Sequence, residues 1–194
     1  MAFGNFKAVP TIIGTNEDEG GFFGPRMGVR TVEDYLKFVH DIFGQNTALA
    51  LKYYPVESDR DVPSMFSAVY ADRGFNYPIS QLVKALAQSG KDVYRYVYCY
   101  RQSRKDATPT HADETVVLMD SLPERSIRDS EMSELMARYW ISFAEAGRPG
   151  CHILPAWPEY SMSRQEYLKL DLSPAVHGAW RDEFVTFIEK AHED

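Results

Sequence analysis

The chain has 194 residues, with 44% hydrophobic, 25% charged and 13% aromatic side chains, the proportions of one globular domain with a sizeable core rather than of a disordered or fibrous chain. Its 21 basic and 28 acidic side chains leave a net charge of -7, and the basic residues are scattered, which argues against a nucleic-acid partner. No apolar stretch approaches the ~18 residues of a membrane span, residues 1–7 lack the basic-then-apolar order of a signal peptide, and Cys99 and Cys151 are too few for a disulfide framework and are expected as free thiols.

Val9-Pro10-Thr11-Ile12-Ile13-Gly14 is a short apolar run closed by glycine, which predicts a buried strand feeding a polar loop over residues 15–21. Thr31 then caps a helix with Val32, Tyr35, Leu36, Val39 and Phe43 on one face, stopped by Gly44. A shorter helix runs from Asn46 towards Tyr54. Asp61 with Pro63 starts another that carries Met65, Phe66, Val69 and Tyr70, and Pro78 begins a further one, closed by Gly90. The period then changes to two: tyrosines at 94, 96, 98 and 100 alternate with Val93, Arg95, Val97 and Cys99 in the clearest strand of the sequence.

Met132, Leu135, Met136, Tyr139, Trp140 and Phe143 form the apolar stripe of the strongest helix, which ends at Gly147. Tyr167-Leu168-Lys169-Leu170 reads as a short strand, and a helix over residues 179–190 closes the chain. Strands separated by helices predict an α/β fold, a small mainly parallel sheet flanked by helices in one unit. Only two or three strands are readable. So small a parallel sheet leaves an uncovered edge, as in a piece of a larger one.

Of the five histidines, His111 stands out because Pro109-Thr110-His111-Ala112-Asp113-Glu114 places it in a polar loop after the tyrosine strand, where α/β folds assemble their sites. Glu19 lies in the acidic loop that follows the first strand. A carboxylate that accepts from one imidazole nitrogen fixes the tautomer and leaves the other nitrogen to take a proton from a nucleophile, so Glu19 and His111 supply two parts of a triad if their loops meet. Metal ligation by His111, Asp113 and Glu114 is the rival use of the same residues, at a spacing unlike that of a helical ligand pair. No nucleophile elbow Gly-x-Ser-x-Gly occurs, nor a His-Gly-Gly-Gly segment, a GxGxxG or a Walker loop.

These segments resemble the C-terminal part of the type-B carboxylesterases, the family of the cholinesterases and the bacterial p-nitrobenzyl esterases. Residues 9–20 look like its strand and loop bearing the triad glutamate, which would be Glu19. His111-Ala112-Asp113-Glu114 looks like its catalytic histidine segment, with Glu114 as a buried acid behind it. Tyr139-Trp140-Ile141-Ser142-Phe143-Ala144-Glu145-Ala146-Gly147 and Ala156-Trp157-Pro158 are similar to the two patterns that close the family's domain. Arg148-Pro149-Gly150 departs from the family's Pro-Asn, and Asn76 stands near Tyr77-Pro78, where animal relatives carry a disulfide cysteine.

The resemblance implies the C-terminal part of an α/β-hydrolase fold and hydrolysis of small-molecule carboxylic esters through an acyl-enzyme, without metal or organic cofactor. Glu19 and His111 would be catalytic, and Phe22 and Phe23 would line the substrate pocket. The serine and the oxyanion hole would lie in an N-terminal part of the same enzyme, without which the chain is expected to be inactive; a cytoplasmic location is favoured. The alternative is a non-catalytic esterase-like binding module, which the presence of both Glu19 and His111 disfavours.

Overall fold

The computed structural model describes residues 9–103, 107–150 and 152–193. In chain order it holds β1 (Thr11–Asn16), a 3-10 turn (Glu19–Phe22), α1 (Gly24–Met27), α2 (Val32–Phe43), a second 3-10 turn (Gly44–Asn46), α3 (Thr47–Tyr53), α4 (Val62–Ala71), a π-helical segment (Asp72–Asn76), α5 (Tyr77–Gln88), β2 (Val93–Tyr98), α6 (Asp113–Leu118), α7 (Ile127–Ala146), β3 (Glu166–Leu170), β4 (Ala175–Gly178) and α8 (Asp182–Glu193). The chain divides into two units: residues up to 17 with residues 79–180, and residues 18–78 with residues from 181 onward.

The first unit is a sheet between helices. Its strands are ordered β1-β2-β3-β4, with β1 parallel to β2, β2 parallel to β3 and β3 antiparallel to β4. Alternation along β2 divides its side chains. Tyr94 and Tyr98 join Met132, Met136 and Tyr139 of α7 together with Leu168, Leu170 and Trp157 in one buried cluster, whereas Val93 joins Val83 and Leu86 of α5 on the other side. Tyr96 meets Trp140 edge-on at 5.6 Å, and the Trp157 indole donates to the Arg95 carbonyl at 2.9 Å. Strands β1 and β2 pack so closely that a Cβ on Gly14 would fall 2.4 Å from the Tyr96 carbonyl oxygen.

The second unit is helical. Tyr35, Val39 and Phe43 of α2 bury against Ala50 of α3, Phe66 and Val69 of α4, and Phe187 and Ile188 of α8. Beside this apolar cluster the fully buried Asp72 accepts from Tyr54 at 2.9 Å, from Asn76 at 2.8 Å and from the Nε of Arg181 at 2.9 Å; the Nη2 of Arg181 completes the pair.

Several expectations need correction. The first strand continues to Asn16, so the loop expected to start at Thr15 starts two residues later, and part of it winds into the 3-10 turn. The sheet has four strands where two or three were readable, because every residue of β4 is exposed and leaves no alternation to detect. The stretch between Tyr70 and Pro78 is π-helical and not a break, since proline is tolerated in a first helical turn. The last helix begins at Asp182, after Ala179 and Arg181 take left-handed φ values of 60° and 57°. Cys99 is a free thiol; Cys151 lies outside the described residues. Among the described residues no helix is long and apolar enough to cross a membrane.

Candidate active site

In the first unit the site is built at the carboxyl ends of two parallel strands. Asn16 ends β1 opposite Tyr98, the last residue of β2, and the Glu17 amide donates to the Tyr98 carbonyl at 3.0 Å. The chain leaving β2 is fixed through Tyr100, whose hydroxyl donates to Asp129 at 2.8 Å. Burial raises the pKa of Asp129, but hydrogen bonds from the Ser126 amide, the Tyr100 hydroxyl, the Ser103 amide and the Ser126 hydroxyl outweigh it and hold the carboxyl down at about 2. Asp129 is also the third residue of the capping box with Ser126 that starts α7.

His111 sits, half-buried, in the turn just before α6. On one side of it the Asp113 carboxylate accepts from the Thr110 amide at 2.7 Å and the Thr110 hydroxyl at 3.0 Å; on the other, Ala112 takes a left-handed φ of 69° as the N-cap. Asn16, only 1% exposed, donates to the Thr110 carbonyl at 2.7 Å and to the Glu114 carboxylate. Glu114 is half-buried rather than buried, because α6 turns its outer face to solvent, and its carboxylate accepts from Asn16. With Asp113 on Thr110 and Glu114 on Asn16, the acids of the rival metal reading are committed to the turn. Among the described residues no three His, Cys, Asp or Glu side chains cluster so as to hold a metal ion.

Glu19, Phe22 and Phe23 belong to the second unit. Glu19 opens the 3-10 turn and is buried, at 5% exposure. Asp18 caps this turn by accepting from the Gly21 amide at 3.1 Å, and Ser67 of α4 donates its hydroxyl to the same carboxylate oxygen. Gly20 lies flat on α4: a Cβ there would be 2.1 Å from the Ser67 carbonyl oxygen. Phe23 stacks on Phe75 at 5.9 Å and packs against Tyr70 at 4.7 Å. Phe22 meets Phe23 edge-on at 5.2 Å and is 39% exposed, with the Arg26 guanidinium 4.0 Å over its ring. A cavity of about 490 Å3 beside the turn is lined by Asp18, Gly21, Pro25, Val29, Phe66 and Ser67.

The structure thus brings Glu114 to the His111 turn, and Phe22 and Phe23 to the turn of Glu19. Sequence reasoning missed the parts played by Asn16, Asp18 and Ser67. Asp18 carried a signal, an acid three residues before Gly21 in a turn; Asn16 and Ser67 act on partners remote in sequence.

A family model described as the carboxylesterase family matches residues 1–188. Three relatives are similar to this chain. The fumonisin B1 esterase of Sphingopyxis macrogoltabida is 29% identical over 172 residues, 82% of this chain and 32% of that protein. Carboxylesterase 5A of Canis lupus familiaris is 27% identical over 94% of this chain and 36% of its own length, and liver carboxylesterase B-1 of Rattus norvegicus is 25% identical over 96% and 37%. The chain spans about a third of the length of the curated relatives it matches.

Proposed function

We propose, for this chain, which belongs to the carboxylesterase family, that it forms the C-terminal part of a serine carboxylesterase and supplies the triad's acid and histidine. Glu19 accepts from one imidazole nitrogen of His111, fixes its tautomer and stabilises the imidazolium. The other nitrogen takes the proton of a serine hydroxyl, whose oxygen attacks the ester carbonyl carbon. His111 then hands that proton to the departing alcohol, leaving an acyl-enzyme. A water molecule, deprotonated in turn by His111, releases the carboxylic acid and regenerates the serine. The serine and the oxyanion-hole donors come from an N-terminal part beyond this sequence, and Phe22 and Phe23 offer apolar walls to the ester.

The observation that carries this reading is the fastening of the His111 turn to the carboxyl end of β1 through Asn16. A general base needs a fixed backbone, and a solvated loop histidine has no use for such a clamp. The test is to produce the chain together with an N-terminal part and follow p-nitrophenyl ester hydrolysis. His111→Ala and Glu19→Gln are expected to lower the rate by about 10²- to 10⁴-fold, and full activity in both variants sinks the triad. The 194-residue chain alone is expected to show no enzymatic turnover; hydrolysis by the pure chain that disappears in His111→Ala refutes the need for the N-terminal part.

A further inference from the structure

Beyond the carboxyl ends of the parallel strands β2 and β3 the first unit holds an open cleft of about 720 Å3, whose walls include Arg101, Ser103, Arg128, Lys169, Asp171 and Ser173. A crevice outside the carboxyl ends of strands is where open α/β sheets bind ligands. The charge of this one is opposite to that of the whole chain: three cations line it in a protein of net charge -7.

Among the described residues the acids at this cleft are already engaged. Asp171 pairs with Lys169 at 3.0 Å and accepts from the Ser173 amide at 2.8 Å. Asp129, next in sequence to Arg128, is held by Tyr100, Ser103 and Ser126. Among the described residues neither the Arg101 nor the Arg128 guanidinium has a hydrogen-bond or ion-pair partner, and both residues line this one concavity. Each is a planar fork of five N–H donors, matched in geometry to a carboxylate held by two parallel bonds. The volume exceeds what one small inorganic ion fills, and two separate forks ask for a ligand bearing two or more anionic groups.

We propose that this cleft binds a small polycarboxylate, a di- or tricarboxylate anion whose acid groups are divided between Arg101 and Arg128. Calorimetric titration of the purified 194-residue chain at low ionic strength tests this, with citrate, succinate, acetate and inorganic phosphate as probes. Citrate is expected to bind one per chain, more tightly than succinate and far more tightly than acetate, and to weaken as salt is added. Arg101→Gln and Arg128→Gln are each expected to weaken citrate about tenfold, and the double variant to abolish binding; both residues are exposed, so the variants keep the parent's circular dichroism and unfolding midpoint. Citrate binding unchanged in the double variant, no binding by the parent, or phosphate bound more tightly than citrate overturns the assignment.

Discussion

The side-chain amide of Asn16 donates to the Thr110 carbonyl at 2.7 Å and to the Glu114 carboxylate, so the last residue of β1 grips both ends of the turn that carries His111. The two strands run parallel in register, which brings the end of one beside the loop leaving the other. A buried amide that fills both acceptors converts that adjacency into a fixed position for the imidazole-bearing backbone.

Replacing this amide by an apolar group of similar size should loosen the turn. In Asn16→Leu the Thr110 carbonyl and the Glu114 carboxylate lose their donor, which costs about 1–3 kcal/mol. The urea midpoint is expected to fall accordingly, and amide exchange over residues 110–114 to accelerate more than that of β2. Parent-like exchange in the turn would show that Asn16 does not hold it.

Gly20 has no space for a side chain, because its Cβ position lies 2.1 Å from the Ser67 carbonyl oxygen, a backbone atom that cannot swing away. Gly20→Ala must push the 3-10 turn off α4, a strain of about 1–3 kcal/mol or more. Ser67→Ala, which deletes only the hydroxyl given to Asp18, should cost about 1 kcal/mol. Thermal unfolding of the two variants checks the order; equal midpoints would contradict the close packing.

The Asp72–Arg181 pair joins residues 109 apart in sequence inside the second unit. Removing one partner strands a buried charge, so Asp72→Asn or Arg181→Met is expected to destabilise by about 3–5 kcal/mol. The double variant should lose less than the sum, since each single change leaves the other ion uncompensated. A double-mutant cycle by denaturant unfolding measures this; strict additivity would mean that the pair is not coupled.

What was legible in the sequence was what local pattern encodes. The tyrosine alternation named β2 and its two faces, and the stripe from Met132 to Phe143 named the helix packed on it, because both periods survive in the buried residues. Glu19 and His111 were singled out as triad candidates through motif order and their places after strands. Asn16 lies within the strand-and-loop segment of residues 9–20 with no local sign of its role, since its partners lie 94 and 98 residues away. Gly20 read only as part of a polar loop, whereas its contact with α4 requires a glycine there. The fourth strand left no trace because none of its side chains is buried.

Asp129 supplies the pH prediction. Its carboxyl sits at about 2 in the folded chain against an ordinary value of 3.8, so the folded state favours the charged form more than the unfolded state does. The resulting stability is fully present above about pH 4 and is lost as the pH falls towards 2, where both states bind the proton. Asp129→Asn keeps one acceptor oxygen but cannot ionise. Its unfolding free energy should therefore fall below the parent's by a margin that is constant from neutral pH to about 5, narrows between 4 and 2, and is smallest at the acid end. Urea unfolding of both proteins across that range gives the margin directly. A gap that widens on acidification would mean that the hydrogen bonds from Ser126, Tyr100 and Ser103 do not stabilise the carboxylate, and that the chain leaving β2 towards His111 is held by something else.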